Sequence, residues 1–443
     1  MQWASAFKMF LLTITYTLLW ITLIVVLIHY AALFFFFSRL KRTIWTKDSV
    51  PFTPKTMVLL PLRGADPSLA KSLEKILTQD YPHYHVLFIF DSAEDSALPY
   101  AEAAIAQWGT FPGETAPGET APSCNPRAEI KIMPEYFSTC SLKCSALYYG
   151  MANLDSSYEV VAVLDADTNP PRNWLRHLVE PLADQRFPVA TGLRWYIPGR
   201  ANVGSLVRYL WNAAAVVQQE LYRIPWGGSL AIRREFLEQT NIPEKWRFAI
   251  TDDTPIKNIA RNAKGRVAVV PTLFMVNRET CRLRSFYHWV KRQMLMAKLY
   301  HPAWTLIWGQ AVLISAPLVA LTGTFLAGLF LHDGQVVLWS LLAFGFYWAG
   351  VFGTLPMIES VVRKIVRNNG EPVQKWSIQR TILTFAMIPI TQGVYISALF
   401  RLCFLRRVEW RGVEYDIAGQ QIRLVEYKPY TQSPADHDKR QSL

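Results

Sequence analysis

The run Val160-Val161-Ala162-Val163-Leu164 delivers Asp165-Ala166-Asp167, two carboxylates one residue apart, at the end of a buried-type strand. Side chains alternate along a strand, so Asp165 and Asp167 share a face and can converge on one small hard cation. Such cations take oxygen ligands and bridge phosphates. Open α/β sheets bind ligands just beyond the carboxyl ends of their strands. The same residues, continuing into Thr168-Asn169-Pro170-Pro171, are also good turn chemistry. Asp91 ends another short strand and can accept hydrogen bonds from a nucleoside, or cap the helix that follows. Asp252-Asp253 sets two like charges at a helix start; one can be poised as a base, or the two can form a doubled cap favoured by the helix dipole. Arg292 offers a fixed fork for phosphate oxygens, of a ligand or of a lipid headgroup. Together they supply a metal, a nucleoside acceptor, a base and a phosphate clamp.

The elements that must position these groups alternate. Thr56–Leu62 reads as a buried strand, a helix runs from Asp66 to about Thr78, and His85–Phe90 is a second strand. A helix over Ala97–Trp108, a strand over Ala128–Met133, a helix near Ser141–Asn153 and the strand ending at Asp165 follow. Strands alternating with helices predict an α/β fold with a mainly parallel sheet. Phe111–Pro126 holds Pro-Gly-Glu-Thr-Ala twice, at 112–116 and 117–121, and reads as a flexible surface insertion. The second half is less regular: a helix over Ala201–Tyr222, a tight turn at Trp226-Gly227-Gly228-Ser229, and a strand over Arg266–Val270. Ser285–Lys298 is aromatic and basic, suiting a helix laid along a membrane surface.

Composition sets the surroundings. The 443 residues are 51% hydrophobic and carry a net charge of +12. Four stretches, about Met9–Phe37, Trp304–Leu331, Gln335–Met357 and Thr381–Phe404, are long enough for a bilayer core, which needs about 20 apolar residues. The first is too long for a signal peptide and reads as a retained anchor. Arg39, Lys41, Arg42 and Lys47 follow it, and Arg363, Lys364 and Arg367 follow the third, so the positive-inside rule puts the region between on the cytoplasmic side of a multi-pass membrane protein. The fourth stretch conflicts with that rule and is interrupted by Pro389, Gln392 and Gly393, leaving a re-entrant segment open. Five cysteines, an odd number in a cytosolic segment, argue for free thiols and against a disulfide framework. The basic residues cluster beside the spans, which points to anionic lipid and not to nucleic acid.

At this point the chain resembles glycosyltransferase family 2 and the related ceramide glucosyltransferase group. The resemblance covers roughly residues 50–300 and rests on Pro61-Leu62-Arg63-Gly64-Ala65-Asp66-Pro67, Gln79-Asp80-Tyr81-Pro82, Asp91, Lys143, Asp165-Ala166-Asp167, Gly227-Gly228 and Asp252-Asp253. The tail Trp410-Arg411-Gly412-Val413-Glu414-Tyr415 is similar to that of ceramide glucosyltransferases. The resemblance implies a GT-A fold, a nucleotide-sugar donor (a UDP-sugar), Mg2+ or Mn2+ as cofactor, and inversion at the anomeric carbon. It implies nucleotide-sugar contacts at Leu62, Arg63, Asp91, Lys143, Asp165, Gly227, Gly228, Arg292 and Gln293, metal ligation by Asp165 and Asp167, and Asp253 as base with Asp252 capping the helix.

Trp289-Val290-Lys291-Arg292-Gln293 departs from the family's fifth motif, keeping only its arginine. That argues against a polysaccharide synthase and for transfer of one sugar to a lipid hydroxyl; a catalytically silent membrane scaffold is the third reading. The expected organisation is an anchor at 1–38, a catalytic domain at 39–284, an interfacial helix at 285–302, membrane helices at 303–404 and a basic tail at 405–443.

Overall fold

A computed structural model of the chain describes residues 2–44, 52–109, 127–152, 154–373 and 375–428. The insertion expected at 111–126 lies outside them. Strands β1 (Thr56–Leu62), β2 (Tyr84–Phe90), β3 (Arg127–Ile132), β4 (Val160–Leu164), β5 (Val189–Tyr196), β6 (Ser229–Arg233) and β7 (Val267–Asn277) form one sheet in the order β3-β2-β1-β4-β6-β5-β7. Only β6 runs antiparallel to its neighbours, so the sheet is mainly parallel, the α/β class expected of a GT-A domain. A second sheet comprises β8 (Arg407–Trp410), β9 (Val413–Ala418) and β10 (Gln421–Tyr427). Part of the expected tail is therefore folded.

The helices of the domain are α2 (Leu69–Leu77), α3 (Leu98–Trp108), α4 (Leu142–Ala152), α5 (Trp174–Val179), α6 (Val203–Tyr222), α7 (Arg234–Thr240), α8 (Ile242–Trp246), α9 (Thr254–Asn262) and α10 (Leu283–Tyr300). Residue alternation sorts the core into two layers. Val58, Leu60 and Leu62 of β1 meet Leu69, Leu73 and Ile76 of α2 and Ile105 of α3. Met57 and Leu59 face the other way, onto Cys144 and Leu147 of α4, Trp246 of α8 and Ile256 of α9. Burial on both faces explains the near-continuous apolar runs of β2 and β4.

The remaining helices are α1 (Gln2–Ile44), α11 (Trp304–Phe330), α12 (Gly334–Asn368), α13 (Ile378–Ala386) and α14 (Ile388–Arg401). Four segments among the described residues, Ala6–Leu40, Trp304–Phe330, Gly334–Asn368 and Ile378–Arg401, are long and apolar enough to cross a membrane. The last is broken at Met387, just before Pro389, where a proline inside a continuing helix would remove a hydrogen bond. Leu33, Phe36 and Leu40 of α1 pack with Trp195 of β5, Phe274 of β7 and Val362 of α12, so the end of the first helix and the edge of the sheet share one core.

At Gly204, in the first turn of α6, a Cβ would lie 2.3 Å from the Cys281 carbonyl oxygen and 2.5 Å from the Arg282 carbonyl carbon. These are backbone atoms of the segment entering α10, and they cannot step aside as a side chain could. Gly204→Ala should therefore lower stability by about 1–3 kcal/mol, the usual cost of overpacking. A Tm in detergent equal to the wild type would show that the two segments are not held at this distance.

Candidate active site

Three neighbouring parallel strands, β2, β1 and β4, end together, and the residues that follow them are Asp91, Arg63 and Asp165. They open into a cavity of about 140 Å³ that is also lined by Leu62, Lys143, Asp167, Asp252, Asp253, Arg292 and Gln293. Every side chain that the sequence nominated thus reaches one place, apart from Gly227 and Gly228. Those two sit beside the cavity and are required for their size. A Cβ on Gly227 would lie 2.3 Å from Asp252 Oδ2, and one on Gly228 2.7 Å from Asp165 Oδ2.

The chain reverses after β4, which ends at Leu164, so the alternation of a strand is not what brings the acid pair together. A turn does so, held by Thr168 Oγ1 donating to the Asp165 carbonyl at 2.7 Å. Gln79 clamps the end of this loop: its amide donates to the Pro171 carbonyl at 3.0 Å, and its carbonyl oxygen accepts from Leu175 N at 3.1 Å. Lys143, near the start of α4, lies 2.6 Å from Asp165 Oδ1 and 2.9 Å from Asp252 Oδ1. Burial opposes ionisation of Asp165, but the charges of Lys143 and Arg194 hold its carboxyl below the usual range. Burial and then the Asp165 charge push Asp167 up to about 6, the behaviour of a carboxyl short of a counter-charge.

No cluster of three or more His, Cys, Asp or Glu side chains stands ready as a metal cage among the described residues. Asp165 and Asp167 nevertheless fit Mg2+ or Mn2+, hard ions of which Mg2+ binds through one or two carboxylates, keeps several waters and takes substrate phosphates for the rest. Opposite them sit three guanidinium groups, those of Arg194, Arg292 and Arg411. Arg292 is buried, its Nε has no hydrogen-bond partner, and its guanidinium lies 5.2 Å from the Trp410 ring centre. Burial first, then the charges of Arg411 and Arg194, lower its pKa to about 10. Asp167, whose carboxyl is raised beside Asp165, and the buried Arg292, whose Nε has no hydrogen-bond partner, are the two groups of this set that a metal-chelated diphosphate would complete.

The acidic pair at the head of α9 divides its work differently from the sequence expectation. Helix α9 begins at Thr254 with Pro255 in its first turn, so Asp253, not Asp252, is the cap. Asp253 accepts from Thr254 N, from Thr251 Oγ1 and Thr254 Oγ1 at 2.8 Å each, and from Gly227 N at 2.8 Å. It remains half-buried at the cavity wall. Asp252 is fully buried, its Oδ2 has no hydrogen-bond partner, and burial above all pushes its carboxyl up to about 6.

The small second sheet closes the end of the cavity at Arg63 and Asp91. Arg63 pairs with Asp91 and donates from Nε to the Arg411 carbonyl at 3.0 Å. Arg411 returns a bond to the Arg63 carbonyl at 2.6 Å and reaches Asp66 Oδ2 at 2.7 Å. Tyr427 donates to Asp91 Oδ2 at 3.1 Å and stacks on Tyr136, with ring centres 5.1 Å apart. Sequence reasoning gave no site role to Arg194, Trp226, Trp410, Arg411, Tyr415 or Tyr427. The Trp410–Tyr415 similarity was the one signal that could have found part of this set.

The family model described as Glycosyl transferase family 21 matches residues 21–422. Ceramide glucosyltransferase 1 of Caenorhabditis elegans is 27% identical over 110 residues, which are 25% of this chain and 23% of that relative, so the match spans under a quarter of the relative's length. Among solved structures, the mannosyltransferase PcManGT from Pyrobaculum calidifontis, in complex with GDP-Man and Mn2+, aligns with 87% of this chain and 99% of its own, at TM-score 0.44 and 18% identity. GalNAc-T7 with UDP, GalNAc and Mn2+ aligns with 55% of this chain and 48% of its own, at TM-score 0.37 and 13% identity.

Lys143 is the shared counter-charge of Asp165 and Asp252, and its side chain is 13% exposed. Removing one partner of a buried ion pair costs about 3–5 kcal/mol, so Lys143→Met should lose about that much near pH 7.5. The Asp252 carboxyl has a raised pKa, so the folded state favours its protonated form, and lowering the pH through about 6 removes an unpaired buried charge. The defect of Lys143→Met should therefore shrink as the pH falls from 7.5 to 5.5. Thermal unfolding in detergent at both values checks this; a defect independent of pH would show that Lys143 acts through packing.

Proposed function

This chain belongs to glycosyl transferase family 21, and from that premise we propose that it moves one hexose from a nucleotide-sugar, a UDP-sugar, to the hydroxyl of a lipid acceptor with inversion. The observation that carries the reading is the juxtaposition, at the carboxyl ends of parallel strands, of Asp167, whose carboxyl is raised beside Asp165, with the buried Arg292, whose Nε has no hydrogen-bond partner. Residues 39–284 form the catalytic unit on the cytoplasmic side, between an anchor at 1–38 and membrane helices at 303–404, with 285–302 along the interface and a basic tail at 405–443. The apolar helices and the name of the nematode relative favour a lipid acceptor.

In this reading Leu62, Arg63 and Asp91 hold the nucleoside, and Lys143 lies beside the nucleotide and fixes the Asp165 carboxylate. Gly227 and Gly228 let the Trp226 turn approach the donor closely. Asp165 and Asp167 hold Mg2+ or Mn2+, whose charge would offset that of the diphosphate. Arg292 and Gln293 face the phosphate oxygens. The acceptor oxygen forms the new bond to the anomeric carbon, the bond to the diphosphate breaks with its electron pair leaving on phosphate oxygen, and Asp253 takes the hydroxyl proton. Asp253 is the member of the pair that meets the cavity half-exposed, and its four hydrogen bonds aim it. A second reading makes Asp252 the base, favoured by its unpartnered Oδ2 and its raised pKa.

Substitution by Asn separates the two, because it keeps size and removes basicity. Asp253→Asn should lose about 10²–10⁴-fold in kcat with donor affinity kept, and Asp252→Asn should be milder. The reverse order, read by turnover and nucleotide-sugar binding in the same detergent, would move the base to Asp252.

Metal dependence has its own check. EDTA and Asp165→Ala should each abolish donor-dependent release of nucleoside diphosphate from the purified protein, with added Mn2+ restoring only the first. Release that survives both would discard the metal.

A further inference from the structure

A second cavity, of about 190 Å³, lies among α1, α6, α11, α12 and α14, away from the sheet's carboxyl ends. Its walls are mostly apolar, with Val25 and Leu33 from α1, Ala214 from α6 and Leu355 from α12. Helices α1, α11 and α12 and the α13–α14 pair are the segments long and apolar enough to cross a membrane. A hollow with such walls is a poor site for water or for a polar solute, and a good one for hydrocarbon.

Polar groups do occur in it, on α1 (His29), α6 (Gln218), α11 (Gln310), α12 (Tyr347) and α14 (Gln392). Gln392 donates to the Tyr347 hydroxyl at 3.2 Å, and Gln310 accepts from Tyr222 at 2.8 Å. Gln310 is six residues from the start of α11, about 9 Å along its axis from the end that joins the catalytic domain. Gln310 therefore places one polar group of the cavity near the end of α11 that joins the domain. There Trp211 of α6 forms part of the wall, and its ring meets that of Trp289 edge-on, with centres 5.2 Å apart. Trp289 lines the catalytic cavity. Two indoles, each with an apolar body and one N–H, are thus the partition between the hydrocarbon-suited cavity and the acid-lined one.

We propose that this second cavity holds the hydrocarbon chain of the acceptor lipid, and that Trp211 and Trp289 form the threshold past which its hydroxyl-bearing head group reaches Asp253. The assignment rests on the lipid-acceptor reading above and adds where the lipid sits and which residues select it. The occupant is a lipid with a long acyl chain and a compact, hydrogen-bonding head. The chain lies against α1, α6 and α12, while Gln310, Tyr347 and Gln392 offer donors and acceptors to an amide or hydroxyl on the way to the threshold.

The test uses the full chain in detergent and a ceramide carrying a photoreactive diazirine in its N-acyl chain, with the labelled peptides mapped by mass spectrometry. Ala214→Trp and Ala32→Trp, on two different helices, add bulk to the cavity from α6 and from α1. Label in peptides of α6 and α12, together with a ratio of kcat/KM for N-hexadecanoyl over N-acetyl acceptor that falls about tenfold or more in both variants, upholds the assignment. Label confined to outward-facing surfaces of the apolar helices, with that ratio unchanged in both variants, overturns it. Label in the cavity with no lipid glycosylated, while nucleoside diphosphate is still released from the donor, would sink the lipid-acceptor reading and leave the cavity as a lipid site of another purpose.

Discussion

Three carboxylates crowd one ammonium group in this molecule, and the geometry of the site depends on that imbalance. Lys143 neutralises Asp165 and Asp252 directly and feels the charge of Asp253. Arg194 adds a second cation 3.7 Å from Asp165, but neither cation pairs with Asp167, so the acids sort by environment. Asp165 stays ionised, Asp253 is tied into the start of α9, and Asp167 and Asp252 carry raised pKa values. A side chain at Gly227 would meet Asp252 and Lys143, and one at Gly228 would meet the Trp226 ring and then Asp165, so both positions are glycine.

Much of this was legible in the sequence, for a physical reason. Strands buried on both faces leave unbroken apolar runs, and the polar residue ending each run marks the carboxyl edge where a ligand binds. Asp91 and Asp165 were found in that way, Arg63 came from the resemblance, and the resemblance to ceramide glucosyltransferases agrees with the family match. The cap at α9 was misplaced by one residue, although Pro255 held the clue: a proline favours the first turn, which sets the cap at Asp253. The second sheet was the larger gap. Arg411 meets Arg63 across 348 positions of chain, and a contact of that separation leaves no period in either segment. Arg194 was missed because it sits on a strand whose register with its neighbours shifts, so its inward direction could not be counted from the strand's start.

The apolar helices and the sheet do not meet as two separately built parts. Phe36 and Leu40 of α1 share a core with Trp195, Phe274 and Val276, and α10 carries Arg292 and Trp289 into the catalytic cavity while its far end leads directly to α11. Positions that bind charge are therefore braced by helices with almost none. Forces on those helices, from their packing or from the medium around them, reach Arg292 through α10.

The second sheet also has a consequence in time. Residues 407–428 leave the ribosome after every apolar helix has been made, yet they supply the groups that hold Arg63, Asp66 and Asp91 in place. A nascent chain can therefore have its four apolar segments made while Arg63, Asp66 and Asp91 still await the contacts that Arg411 and Tyr427 bring.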